Sequence, residues 1–104
     1  MPTYDPNKIR QKNFVYDNVI YFDGKISIIF GTYKENPLKT IGCRWISEDD
    51  FLGYPNAHGN PTWMPLPDKL ALVILEGLWA SPTEKQAIRS GFQAALEELK
   101  NRKA

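Results

Sequence analysis

The sequence predicts an α+β domain: a four-stranded antiparallel β-meander followed by two C-terminal helices. Three observations predict it. Between Phe14 and Ser47, runs of β-branched and aromatic residues are punctuated by Asp23-Gly24 and Glu35-Asn36-Pro37-Leu38, the pattern of strands joined by tight turns. Leu70 to Ala80 is almost wholly apolar, and Ala87, Ile88, Phe92, Ala95, Leu96 and Leu99 recur at helical spacing. At 104 residues, with 42% hydrophobic and 24% charged, the chain is one domain, residues 1–104, with enough apolar surface for a core.

Taken in order, residues 1–12 (MPTYDPNKIRQK) carry two prolines and little periodicity, and read as a loose basic arm bearing Lys8, Arg10 and Lys12. Phe14 to Phe22 and Lys25 to Lys34 form a hairpin about a type I′ turn at Asp23-Gly24. Lys39 to Ser47 adds a third strand. Residues 48–61 (EDDFLGYPNAHGNP) hold three acids, two glycines and two prolines, which suits an exposed loop. Thr62 to Leu66 reads as a short fourth strand, at an edge because Pro65 lacks a donor. Asp68 then caps a helix over 70–80, apolar except for Glu76 on both of its sides, so both should be covered. Ser81-Pro82-Thr83-Glu84 has the form of a capping box opening a second, amphipathic helix over 82–103.

Symmetric turns pair residues whose numbers sum to 47 in the first hairpin and 73 in the second. Phe22 then faces Lys25, Tyr16 faces Gly31, Gly31 faces Gly42 and Ile29 faces Arg44. One sheet face carries Val15, Val19, Tyr21, Ile26, Ile28, Phe30, Ile41, Cys43 and Trp45, the expected core. The opposite face sets Tyr16 and Tyr33 among Lys25, Ser27, Thr40 and Arg44, with Lys34 and Lys39 at the adjoining turn. Rings among cations suit single-stranded nucleic acid, since bases stack on the rings and cations meet phosphates. The net charge is only +1, yet residues 1–47 hold seven Lys and Arg against four Asp and Glu, while residues 48–80 hold one against five. The cations concentrate on the sheet.

Enzyme chemistry has little to build on. Cys43 is the only cysteine and His58 the only histidine, so neither a disulfide nor a structural zinc site is expected. Cys43 reads as a buried thiol and His58 as a loop histidine; a thiolate enzyme using the two is the weakest alternative. Glu48, Asp49 and Asp50 lack the spacing of a calcium loop, and no phosphate-binding glycine motif occurs. With no cofactor implied, no apolar run of membrane-spanning length and no signal peptide, a cytoplasmic location is expected.

The order of three strands, loop, short strand and apolar helix resembles the ssDNA-binding transcriptional regulator fold of the PC4 coactivators and plant Whirly proteins. The resemblance spans residues 14–80 and is carried by Thr62-Trp63-Met64-Pro65-Leu66-Pro67-Asp68 running into Leu70 to Leu78, with Lys25 to Ser47 similar to the family's curved central hairpin. Where that family has a Lys-Gly-Ile-Ser-Leu-like approach to the helix, this chain has Trp63-Met64-Pro65-Leu66, so contacts from that segment do not transfer. The resemblance implies a homodimer. The resulting expectation is a non-enzymatic single-stranded DNA or RNA binder, with transcriptional regulation the implied setting. The candidate site comprises Tyr16, Lys25, Ser27, Tyr33, Lys34, Lys39, Thr40 and Arg44, assisted by the arm. The alternative is a protein-interaction module that assembles as a homo-oligomer through its aromatic face and apolar helix.

Overall fold

A computed structural model describes residues 5–47, 50–57 and 60–102. Its strands are β1 (Phe14–Phe22), β2 (Ile26–Tyr33), β3 (Thr40–Ser47), β4 (Asp50–Tyr54), β5 (Asn56–Ala57), β6 (Asn60–Pro61) and β7 (Met64–Leu66); its helices are α1 (Asp68–Ala80) and α2 (Phe92–Lys100). The architecture is α+β, an antiparallel sheet followed by two helices, as the hydrophobic pattern predicts. The sheet runs β1-β2-β3-β4, and β7 also pairs with β3. Thus β4 and β7 lie end to end along one edge of β3: Trp45 pairs with Tyr54, and Ile41 and Cys43 pair with Leu66 and Met64. The expected loop 48–61 is therefore corrected. It contains β4 and the small β5–β6 ribbon, because the short β-forming run from Phe51 to Tyr54 finds a partner edge that its neighbouring acids and prolines obscure.

The registers differ from the symmetric expectation. Phe14 pairs with Tyr33 and Tyr16 with Gly31 as anticipated, but two bulges in β1 then shift the ladder, so Val19 meets Ile29, Tyr21 meets Ile28 and Phe22 meets Ser27. The connecting loop is Asp23-Gly24-Lys25, three residues long, rather than a two-residue turn. Asp23 Oδ1 accepts from the backbone N–H of Lys25 (2.8 Å) and Ile26 (2.7 Å), and Gly24 takes the left-handed φ of 97° that follows. Between β2 and β3 the register is displaced by two, pairing Gly31 with Thr40, Ile29 with Gly42 and Ser27 with Arg44. A two-residue shift preserves which face each side chain takes. The β1 bulges do not: Val19 moves to the second face.

Both helices pack on one face. Ile20, Tyr21, Ile28, Ile41 and Leu66 meet Ala71 and Leu75 of α1 and Phe92, Ala95, Leu96 and Leu99 of α2. The helices are antiparallel, with Arg102 contacting Asp68 at one end (3.4 Å) and Trp79 stacked on Phe92 at the other (6.0 Å between centroids). Asp68 is the first residue of α1 rather than its cap, which lets its carboxylate favour the helix N-terminus while receiving Arg102. The expected core residues Val15, Ile26 and Trp45 are exposed instead, since they lie at the sheet's ends. The second helix is shorter than expected. Glu84 accepts from the Tyr21 hydroxyl (2.7 Å) and makes no capping bond; Lys85–Ala87 form a single 3₁₀ turn, Ile88 bridges to Tyr21, and Gly91 redirects the chain into α2.

The second face carries its own core of Ile9, Phe14, Tyr16, Val19, Ile29 and Trp63. Here the expected loose arm is corrected: Pro6 and Ile9 are buried, and the segment lies across the sheet. The Tyr16 hydroxyl donates into the carbonyls of Pro6 (3.0 Å) and Ile9 (2.8 Å), and Trp63 Nε1 donates to Ile9 as well (2.9 Å). Trp63 N–H donates to Gln11 Oε1 (2.8 Å). The Phe14 ring rests on Gly42, where a Cβ would lie 2.7 Å from ring carbons. The outer edge of β1 is also occupied. Arg10 donates to the carbonyl of Tyr16 (2.6 Å), Asn7 Oδ1 accepts from Val19 N–H (2.8 Å), and Arg89 N–H donates to the carbonyl of Ile20 (2.9 Å).

Candidate functional site

The eight residues expected to form a stacking platform separate into an interior group and a peripheral one. Tyr16 is only 4% exposed, its ring edge-on to Trp63 at 5.4 Å with the Arg10 guanidinium 4.2 Å from its centroid. Arg44 is 0% exposed and donates to the carbonyls of Thr62 (2.7 Å) and Pro55 (3.1 Å), with its guanidinium 6.0 Å from the centre of Trp63. Ser27, paired with Arg44 across the strands, is equally buried, and its Oγ has no hydrogen-bond partner. These three side chains sit inside the monomer, where an incoming base cannot stack on them. The face predicted to be open is closed by the arm and Trp63, two segments whose composition carries no periodic signal.

The peripheral group is spread along the sheet. Tyr33 is half-buried against Phe14 (5.2 Å between centroids), with the Lys34 ammonium 5.3 Å from its ring, and Thr40 is half-buried beside Gly31. Lys25, Lys34 and Lys39 are exposed. Lys25 precedes β2 and Lys34 follows it, so a strand of eight residues separates them, about 26 Å at 3.3 Å per residue. Lys39 lies 5.9 Å over Phe30, near Arg102, which donates to its carbonyl (2.7 Å). The cations therefore mark two ends of the sheet rather than one groove.

Catalytic groupings are sparse among the described residues. Burial pushes the Cys43 thiol above its ordinary value, which suppresses the thiolate, and His58 lies outside the described residues. Glu48 and Asp49 also lie outside them, while Asp50 belongs to β4. Among the described residues, no group of three or more His, Cys, Asp and Glu could hold a metal ion. The Tyr21 phenol is strongly perturbed. Burial first, then the hydrogen bond to Glu84 and the nearby Asp23 and Glu84 charges, hold it protonated far above the usual range. It acts as a fixed donor tying β1 to the segment before α2. No described helix is long and apolar enough to cross a membrane.

A further surface feature lies on the outward side of α1. The expectation that both sides of this helix are covered is corrected: Ala71 and Leu75 are sealed, but Leu70 is 49% and Val73 65% exposed, with exposed Gly77 on the same line. Lys69 and Glu76 are exposed along one border and half-buried Ile74 lies along the other. The signal was present in the sequence, since a helix apolar on both sides followed by a single further helix leaves one side open. Comparisons of the chain with protein-family models, curated proteins and solved structures give no match.

Proposed function

We propose that the protein is a non-enzymatic assembly module that works as a homo-oligomer, with the outward side of α1 as its contact surface. The observation that carries this reading is the uncovered apolar line of Leu70, Val73 and Gly77 on a helix whose opposite side is fully sealed. Apolar side chains aligned on one helix side, bordered by charge, suit a subunit contact more than open solvent. The half-buried free thiol of Cys43 accords with a reducing compartment, and we place the assembly in the cytoplasm. Sedimentation equilibrium across micromolar concentrations tests it. A mass rising from 11.9 kDa toward twice that value supports self-association, and Val73→Glu should return the monomer with its thermal midpoint intact. A single 11.9 kDa species throughout would refute it.

Single-stranded nucleic-acid binding is favoured by a different observation. Lys12 and Lys34 line one shallow cleft with Asn13, Val15 and Glu35, and half-buried Tyr33 adjoins Lys34. This suits phosphate contact with one stacked base, a smaller footprint than an open sheet face. It predicts weak oligonucleotide binding that falls steeply with salt and is lost in Lys12→Ala/Lys34→Ala; salt-independent or absent binding removes this reading.

A further inference from the structure

The outward side of α1 carries enough pattern to specify how a second copy would sit on it. At about 100° per residue, Leu70, Val73 and Gly77 fall within about 60° of one another on the helix, and Lys69 and Glu76 lie about 40° to 60° beyond Val73 on one border. Leu70 and Val73 project into solvent. Gly77 is a notch: a Cβ built there meets nothing within 4 Å, so the monomer has room for alanine, the better helix former. The absent side chain leaves a concavity open on the solvent side. Lys69 and Glu76 have opposite charges and are both exposed, and neither makes an ion pair among the described residues.

We infer that two copies pair α1 against α1 antiparallel about a two-fold axis at Val73, with Leu70 of each copy over the partner's Gly77 and Lys69 beside the partner's Glu76. This deepens, and rests on, the assembly reading above. A two-fold axis perpendicular to the helices brings the same border of both together while reversing their direction. With Val73 on the axis, facing positions sum to 146. Leu70 with Gly77 sums to 147 and Lys69 with Glu76 to 145, each within one residue of register, about 1.5 Å along the axis. Large meets small, and cation meets anion on both sides of the axis. A parallel pair would instead set Leu70 level with Leu70, leave the two notches facing each other, and place the charged border against the partner's Ile74. The 13-residue helix is about 20 Å long, so the contact is at the small end of specific interfaces and should dissociate in the micromolar range.

The test is sedimentation equilibrium of the full chain carrying Lys69→Glu, Glu76→Lys, both changes together, or Gly77→Leu. Each single charge reversal creates two like-charge contacts and should weaken the dimer about fivefold to tenfold. The double reversal restores the pairs and should return the constant to within about threefold of the starting protein. Gly77→Leu fills the notch and should weaken the dimer more than tenfold, with the circular-dichroism spectrum preserved and the monomer's thermal midpoint at or above the parent's, since leucine is the better helix former. A dimer indifferent to all four variants, or one that the double reversal fails to restore, overturns the antiparallel arrangement while leaving self-association standing. A chain monomeric at every concentration overturns both.

Discussion

Replacing Arg44 with alanine distinguishes a clamp inside the fold from a ligand-binding side chain. Arg44 is fully buried and its guanidinium reaches the carbonyls of Thr62 at 2.7 Å and Pro55 at 3.1 Å, holding the excursion after β3 against the sheet. Hydrogen bonds to a charged group contribute about 1.5–3 kcal/mol each. The Pro55 carbonyl keeps the Thr62 N–H (3.0 Å) after truncation, whereas the Thr62 carbonyl loses its 2.7 Å charged donor, and the vacated volume beside Trp63 adds a cavity cost. The sum is about 3 kcal/mol, a large share of the 5–15 kcal/mol typical of a domain. In a chain of this size that lowers the thermal midpoint by about 12 °C or more. Arg44→Lys should recover only part of it, because an ammonium group cannot reproduce the planar fork. Calorimetry and urea unfolding of both variants provide the check. A midpoint for Arg44→Ala within about 3 °C of the parent would refute the clamp, and oligonucleotide affinity lost at unchanged stability would return Arg44 to a ligand-binding role.

Tyr21 should remain protonated well above the usual range of a phenol. Its phenol is raised in the folded state by burial, Glu84 and Asp23, so its stabilising effect is complete below about pH 10, the unfolded value, and is lost as pH climbs beyond it. Alkaline melts should therefore steepen above about pH 10 and flatten in Tyr21→Phe, with tyrosinate absorbance as the direct readout; equal slopes in the two proteins would refute the linkage. Tyr16→Phe removes the hydroxyl that holds Pro6 and Ile9. It should cost about 1–2 kcal/mol and raise hydrogen exchange at residues 7–12 selectively, whereas a uniform rise across the sheet would count against a local tether.

Much of the fold was legible because its signals are local. Phe14 to Ser47 alternates β-formers with turn residues, and Leu70 to Ala80 leaves little choice but helix. What was not legible depends on distant partners. The bulges of β1 place Val19 and Tyr21 on opposite faces because two cores compete for that strand, which no local pattern reports. Glu84 sits where a capping residue would, yet the buried Tyr21 hydroxyl is its stronger claimant. The centre of the expected platform is covered for the same reason. Face assignment correctly put Tyr16, Ser27 and Arg44 on one side of the sheet, but Ile9 and Trp63 arrive from remote parts of the chain to cover them. The open line of α1 could be anticipated, since it follows from counting apolar sides against available covers.

The plugged margin of β1 has a further consequence. With Arg10, Asn7 and Arg89 engaging the carbonyls of Tyr16 and Ile20 and the amide of Val19, a foreign strand finds few free groups to zip onto there, so the sheet resists templated growth into fibrils along that side. In the helix-paired dimer proposed above, this margin therefore offers no second route for adding copies.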